Sequence, residues 1–271
     1  MRRHYYYPLQ WTPAAFLAYK AEQEIDRNQV LKTVMDAFDN IDLFRELDAE
    51  DFARLRDASS ERHFATGQAI SAFGARADHM YYLRCGQIKL HRNDEKGQEA
   101  VLGIVTEGEW FFALSAFFPI RAPADATALK KSDVILIPAD KIRDVMCRDA
   151  AFAEKILTCT AENIHGLTDK VADMSLKTPV QRVSYYLLKE FLKNGATETS
   201  FQLPYKKSLI AGELGMTAET FSRALAVLKE AGVKIEKKRV TLPHINALCR
   251  VCDPGVAQNC PHHEPGRCPE P

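Results

Sequence analysis

The sequence predicts an α+β protein in which a β-rich domain, a long helix and a C-terminal winged helix-turn-helix follow one another. Three observations predict this order: regularly spaced glycines between short β-type runs, a long stretch of helical periodicity, and a helix-turn-helix-hairpin pattern near the C-terminus. We therefore divide the chain into five segments. They are a partly helical N-terminal extension (1–38), a β-rich domain (39–139), a long helix (140–176), a winged helix-turn-helix (177–248) and a tail rich in cysteine and proline (249–271).

Composition indicates an ordinary globular protein. The chain has 271 residues, of which 46% are hydrophobic and 27% are charged. We find no apolar run of bilayer-spanning length, and the N-terminal residues lack the apolar stretch of a signal peptide. We therefore expect a cytoplasmic protein that does not bind a membrane.

The formal net charge of zero conceals an uneven distribution along the chain. Residues 177–248 contain 12 basic and 6 acidic side chains, whereas residues 39–176 contain 17 basic and 23 acidic ones. A basic C-terminal segment next to an acidic one indicates that the former meets a polyanion.

Glycine spacing predicts the β-rich domain. Five glycines recur at intervals of about ten residues, namely Gly67, Gly74, Gly86, Gly97 and Gly108. Runs rich in Tyr, Val, Ile and Phe lie between them, as at 80–83 and 87–90, and residues 94–97 suit a hairpin turn. The apolar run 134–137 predicts a final buried strand that Pro138 ends, and residues 41–56 before the domain predict a short helix.

Residues 140 to about 174 have helical periodicity. Residues spaced by three or four form one mostly apolar stripe: Phe152, Ile156, Cys159, Asn163, Leu167, Val171 and Met174. The stripe could pack against the β-rich domain. A helix of this length exceeds what one small domain needs, so we favour a homodimer seam, in which Asn163 would fix the register.

A helix-turn-helix is predicted at residues 206–230. Residues 206–214 form a short helix, Gly215 and Met216 a turn, and Thr217 an N-cap for a second helix that Gly232 ends. In the second helix Phe221, Leu225 and Leu228 are expected to be buried. Residues 233–242 then predict a hairpin, or wing, with basic residues near its turn.

The outward face of the second helix suits the major groove of double-stranded DNA. Arg223 can donate two hydrogen bonds to guanine, and Glu219 can accept one from cytosine. Their spacing of four residues could equally be a surface ion pair. The preceding helix, the turn, the N-cap and the basic wing together favour DNA reading. The predicted contacts are Ala218, Glu219, Thr220, Ser222, Arg223 and Lys238.

Residues 40 to 246 resemble the Crp/Fnr superfamily of bacterial regulators. Residues 64–70 (FATGQAI), 77–83 (ADHMYYL) and 86–90 (GQIKL) resemble its cyclic-nucleotide-binding-type β-roll, and residues 219–223 (ETFSR) resemble the recognition helix of the Fnr and Dnr branches. The resemblance implies a β-roll, a dimerisation helix and homodimers on a TTGAT-N4-ATCAA palindrome. It also implies that Glu219, Ser222 and Arg223 touch bases, and RNA polymerase is an expected partner.

Two features depart from that family. Nucleotide-binding members carry an Arg-Ser pair after a Gly-Glu, but here Ala122 and Pro123 follow Gly108-Glu109 at that place, with Arg121 one residue away. We therefore expect no cyclic AMP binding. The N-terminal cysteine cluster of typical Fnr proteins is also missing.

The tail supplies a different set of thiols. Cys249, Cys252, Cys260 and Cys268 fall within 20 residues and are interleaved with prolines. They could hold an iron–sulfur cluster, which we favour because some Fnr-like proteins place their ligands at the C-terminus. They could instead hold Zn²⁺, with His262 or His263 replacing one thiol, or hold no metal.

Other residues carry weaker signals. Dnr-like relatives suggest haem in the β-roll, for which the aromatic residues at 110–112, 117 and 118 would be suitable, although they suit an ordinary core equally well. Cys85, Cys147 and Cys159 are interpreted as buried small hydrophobic residues, and single histidines such as His63 as structural. We find no catalytic constellation and expect no enzyme. The hypothesis from another class is an iron–sulfur redox protein.

Overall fold

The computed structural model describes residues 38, 41–194, 199–244, 247, 248 and 251. The predicted N-terminal extension and the cysteine tail therefore lie outside the described residues, apart from Phe38 and Val251.

The described residues form six α-helices and thirteen strands. The helices are α1 (Ala49–Ala58), α2 (Ala139–Met146), α3 (Ala150–Leu176), α4 (Pro179–Lys193), α5 (Lys207–Glu213) and α6 (Ala218–Glu230). The strands of the first domain are β1 (Ser60–Phe64), β2 (Ala69–Ser71), β3 (Arg76–Ala77), β4 (His79–Cys85), β5 (Gln87–Asn93), β6 (Glu99–Thr106), β7 (Trp110–Phe111), β8 (Ile120–Arg121), β9 (Asp125–Ala128) and β10 (Ser132–Pro138). Those of the second domain are β11 (Ser200–Gln202), β12 (Lys234–Glu236) and β13 (Arg239–Thr241).

The first domain is a β-roll made of two antiparallel four-stranded sheets. Their strand orders are β1-β10-β4-β7 and β2-β9-β5-β6, and β3 pairs with β8 in a small additional ribbon. Apolar side chains from both sheets, such as Leu83, Ile88 and Val134, fill the space between them. The predicted turn at residues 94–97 joins β5 to β6, where Gly97 has a φ of +78°.

The central strand β10 is buried on both faces. Val134 and Leu136 enter the core between the sheets, whereas Ile135 and Ile137 pack on the opposite side against helices α1, α2 and α3. This burial on both faces explains the uninterrupted apolar run in the sequence. A strand with one face in solvent would instead alternate apolar and polar residues.

Two predicted helices differ from the structure. Residues 41–56 begin with a 3-10 turn at Asp42–Phe44, and α1 starts only at Ala49. The predicted single helix from residue 140 is instead two helices, because Asp149 is the N-cap of α3 and accepts a hydrogen bond from the Phe152 amide at 3.0 Å. A carboxylate that satisfies free amides favours a new helix start over continuation.

The long helix α3 has two different faces. Phe152 and Ile156 are buried against the β-roll. Farther along, an apolar stripe is exposed: Leu157, Ile164, Leu167 and Val171. Asn163, which was predicted to interrupt the stripe, is exposed and donates a hydrogen bond to the carbonyl of Cys159.

The second domain is a helical core closed by a small sheet of order β11-β13-β12. Helix α4 starts with a capping box between Thr178 and Gln181, with Pro179 in its first turn. Helices α4 and α6 bury Leu187, Phe191 and Phe221 in one apolar core.

Two cysteines depart from prediction. Cys85 and Cys147 are exposed and Cys159 is half-buried. Cys85 ends β4 and Cys147 follows the last turn of α2, so both lie where an element leaves the core.

Among the helices of the described residues, none has the length and apolar character that crossing a membrane requires.

Candidate nucleic-acid interface

Helices α5 and α6 form the predicted helix-turn-helix. The turn contains Gly215, whose φ of +63° is a conformation that glycine adopts without strain. Thr217 caps α6, because its hydroxyl accepts a hydrogen bond from the Thr220 amide at 3.2 Å. After α6, Gly232 takes a φ of +90°, as expected for a glycine that ends a helix.

One face of α6 is fixed in the core and the opposite face is open. Phe221, Leu225 and Leu228 are buried, as predicted. The predicted contact residues lie on the other side: Ala218, Glu219, Ser222 and Arg223 are exposed, and Thr220 is half-buried. Burial of the first set orients the second set toward solvent.

Glu219 and Arg223 form an ion pair on this open face. An Arg223 Nη2 hydrogen is donated to Glu219 Oε1, and each side chain is 74% exposed. An ion pair this exposed contributes little to folding stability. Each of the two side chains can therefore leave the ion pair and hydrogen-bond to another partner at little cost in free energy.

The wing is the β12–β13 hairpin. Its turn contains Lys237, which has a φ of +49°, and the exposed Lys238. The Lys238 carbonyl accepts a hydrogen bond from the Leu203 amide at 2.8 Å, and Arg239 Nε donates to Ser200 Oγ at 2.8 Å. These bonds hold the turn, and the exposed Lys238 side chain can meet an anion.

Helix α5 packs against strand β6 of the β-roll, a contact the sequence did not predict. A Cβ added at Gly212 would lie 2.8 Å from Val101 Cγ2, so the Val101 side chain packs directly on the Gly212 backbone. Lys170 of α3 donates a hydrogen bond to the Leu102 carbonyl at 2.9 Å. The second domain is thus docked on the β-roll of its own chain.

A cleft of about 540 Å³ lies beside this contact. The start of α6 and the wing border it through Ala218 and Lys238, and the β-roll borders it through Lys89, Glu99 and Lys130. Two predicted DNA contacts therefore also face the β-roll across an open space.

Several polar groups are buried near the docking contact. Glu213 Oε2 and the Tyr186 hydroxyl have no hydrogen-bond partner among the described residues. Burial, and next the nearby Glu213 carboxylate, raise the pKa of Tyr205 to about 12. Burial raises the pKa of Glu213, although the nearby Lys170 acts in the opposite direction. Burial also lowers the pKa of Lys170.

The loop that contains Ala122 and Pro123 holds its arginine against the backbone of the β-roll. Arg121 Nη1 donates a hydrogen bond to the Gly74 carbonyl at 2.8 Å, and Ala122 is buried. Aromatic rings fill the neighbouring core, where Tyr81 stacks on Phe111 at 4.8 Å and meets Phe112 edge-on at 5.7 Å.

The four tail cysteines predicted as metal ligands lie outside the described residues.

Family models match both domains. A cyclic nucleotide-binding domain model matches residues 61–149, and a Crp-like helix-turn-helix domain model matches residues 181–251. Together they span the β-roll from residue 61, α2, and the winged helix-turn-helix from residue 181.

Curated relatives match across most of the chain. The fumarate and nitrate reduction regulatory protein of Yersinia pestis is 27% identical over 189 residues, which are 68% of this chain and 75% of the relative. The protein of the same name from Escherichia coli K12 is 26% identical over the same length.

Solved structures agree with these matches. FixK2 from Bradyrhizobium japonicum has a TM-score of 0.62 at 21% identity and covers 72% of this chain and 98% of its own. A regulatory protein from Silicibacter pomeroyi, provisionally called cAMP-binding, is 30% identical over 79% of this chain and 95% of its own, with a TM-score of 0.50. The fold, the two domain models and these relatives show that the chain belongs to the Crp/Fnr superfamily and is a DNA-binding transcriptional regulator of that type.

Proposed function

We propose that the protein acts as a homodimer on a TTGAT-N4-ATCAA-like palindrome in double-stranded DNA. The observation that carries this proposal is the open face of α6, where Glu219, Ser222 and Arg223 are exposed on a helix whose other face is buried. Arg223 reads a guanine and Glu219 a cytosine, while Ala218 and Thr220 contact the DNA beside them. Lys238 of the wing contacts a phosphate.

The exposed stripe of α3 supports the dimer. Leu157, Ile164, Leu167 and Val171 recur every three to seven residues and would be an unusual apolar patch on a monomer. Their pairing with the same stripe of a second copy places two α6 helices about a twofold axis, and a palindromic site requires that symmetry. RNA polymerase is the partner through which such a dimer would act on transcription in the cytoplasm.

A selection experiment tests the DNA sequence directly. Full-length protein is equilibrated with a pool of random duplexes, and the bound fraction is sequenced over several rounds. We expect enrichment of TTGAT and ATCAA half-sites at one fixed spacing. Enrichment of an unrelated motif, or of single half-sites without fixed spacing, would contradict the assignment of α6 or of the dimer, respectively.

We further propose that the tail controls DNA binding through oxygen, nitric oxide or redox state. Its support is the donor set, because Cys249, Cys252, Cys260 and Cys268 are four thiols within 20 residues. Such thiolates would hold an iron–sulfur cluster, which supplies sensitivity to oxidants. Family membership favours this regulatory role over the alternative of a free-standing redox protein.

Anaerobic purification followed by absorption spectroscopy and iron analysis separates the candidates. We expect a broad absorption band near about 400 nm, which is typical of iron–sulfur clusters. A variant truncated after Leu248 should lack this band. A Soret band would instead support haem in the β-roll, although Tyr81, Phe111 and Phe112 pack against one another there. Zinc without iron would support a structural metal in the tail.

A further inference from the structure

A histidine and two carboxylates meet on the β1-β10-β4-β7 sheet of the β-roll. His63 of β1 is the register partner of Asp133 of β10, and its Nδ1 lies 2.6 Å from Asp133 Oδ1. Glu61 precedes His63 by two residues on β1 and so projects from the same face. One ligand atom of each of the three residues lies within 4.8 Å of the others.

Glu61 is buried without full hydrogen bonding. Its side chain is fully shielded from solvent, and among the described residues no donor reaches Oε2. Its other oxygen accepts a hydrogen bond from Arg84 Nε. A buried carboxylate oxygen without a donor costs free energy, so this site favours an additional positive ligand.

Arg84 is the cation that the cluster holds in the structure. Besides Glu61, it reaches Asp133 through Nη2 at 2.6 Å. Its side chain is 31% exposed, and His63 is 59% exposed. The guanidinium can therefore turn toward water, and the exposed imidazole leaves an entry path for an ion.

We propose that Glu61, His63 and Asp133 bind a divalent transition-metal ion of the zinc class, which replaces Arg84 as their countercharge. One imidazole nitrogen and two carboxylate oxygens form a donor set that suits Zn²⁺, with a fourth position left to water. Tetrahedral ligand atoms about 2.0–2.2 Å from the ion lie roughly 3.3–3.6 Å from one another. Side-chain rotations that move the three ligand atoms by about an ångström would therefore complete the site. None of these three ligands is one of the tail cysteines.

Zinc titration of the full-length chain tests the proposal once the tail thiols are replaced. In a background of Cys249→Ser, Cys252→Ser, Cys260→Ser and Cys268→Ser, calorimetry should detect one Zn²⁺ per chain. His63→Ala and Asp133→Asn should each weaken this binding by at least about tenfold. His79→Ala is the matched control, because His79 lies on neighbouring β4 outside the cluster and should leave Zn²⁺ binding unchanged.

Arg84→Met separates a metal site from a plain ion-pair network. Without the guanidinium the carboxylates repel each other, so the melting temperature should fall, and added Zn²⁺ should restore it because the ion binds the folded state. Zinc affinity should also rise, since the competing cation is gone. A fall in melting temperature that Zn²⁺ does not reverse, or equal Zn²⁺ binding by His63→Ala, would overturn the proposal.

Discussion

Arg223 donates a hydrogen bond to Glu219 one turn earlier on α6, and both side chains are three-quarters exposed. The ion pair keeps both side chains on the open face. Because it is exposed, the ion pair is weak, and either side chain can bind another partner instead. In our proposal DNA replaces this internal contact with two base contacts.

The wing should contribute affinity without sequence preference. Lys238→Ala should weaken binding to specific and scrambled duplexes alike, because a phosphate contact carries no base information. The slope of log K against log salt should become shallower by about one for each phosphate that the variant no longer neutralises. Fluorescence anisotropy over a salt series measures both quantities. An unchanged slope would show that Lys238 does not meet a phosphate.

The apolar stripe of α3 should form the dimer seam. Val171 is 63% exposed, and Val171→Glu should raise the dimer dissociation constant by roughly 100-fold or more, because an unpaired carboxylate would be buried in the seam. Sedimentation equilibrium measures this constant. Val227→Glu is the control, since Val227 is also an exposed apolar residue but lies on α6. Equal effects of the two changes would contradict the seam.

Gly86 should be required for the stability of the β-roll. It has a φ of +108°, and a Cβ there would lie 2.3 Å from Ser132 Oγ and 2.6 Å from the Lys131 carbonyl oxygen. Gly86→Ala should lower the free energy of unfolding by about 2–4 kcal/mol, through overpacking and backbone strain. Gly97→Ala is the control, because its Cβ would meet no atom within 4 Å. Gly97→Ala should lower the free energy of unfolding by about 1 kcal/mol. Urea unfolding measures both variants, and equal losses of unfolding free energy would contradict the steric argument.

Glu213 should destabilise the docked domain at neutral pH. Burial raises its pKa in the folded protein, so folding is penalised once the carboxyl ionises and not below its unfolded pKa. Glu213→Gln should therefore raise the melting temperature at pH 7, and the difference should narrow as the pH falls toward 4.5. Scanning calorimetry across this range provides the test. A difference that grows on acidification would have the wrong sign for this account.

The helix-turn-helix could be predicted from sequence because its signals are local. The N-cap Thr217, the turn at Gly215 and the C-terminal Gly232 each act within a few residues, and the structure confirms all three. The β-roll was predicted for a similar reason, since Gly97 and other turn glycines separate its strands.

Other features depend on contacts that the sequence does not show. The helix break at Asp149 was missed because apolar residues keep helical spacing across it, at Ile142, Val145, Phe152 and Ile156, although an aspartate favours an N-cap over a helix interior. The docking of Gly212 on Val101 and the reach of Lys170 to Leu102 join residues about 70 to 110 positions apart. Burial of Glu61 beside His63 depends on Arg84 and Asp133 from two other strands. Only the folded chain brings these groups together.

The most direct test of the central claim compares two proteins on two duplexes. Binding of the wild type and of Arg223→Ala is measured by anisotropy at one salt concentration, on a TTGAT-N4-ATCAA duplex and on a scrambled duplex of equal composition. The wild type should prefer the palindrome, and the variant should lose that preference, because each half-site forfeits a bidentate guanine contact of roughly 1–3 kcal/mol. A variant that still prefers the palindrome as strongly as the wild type would contradict the account.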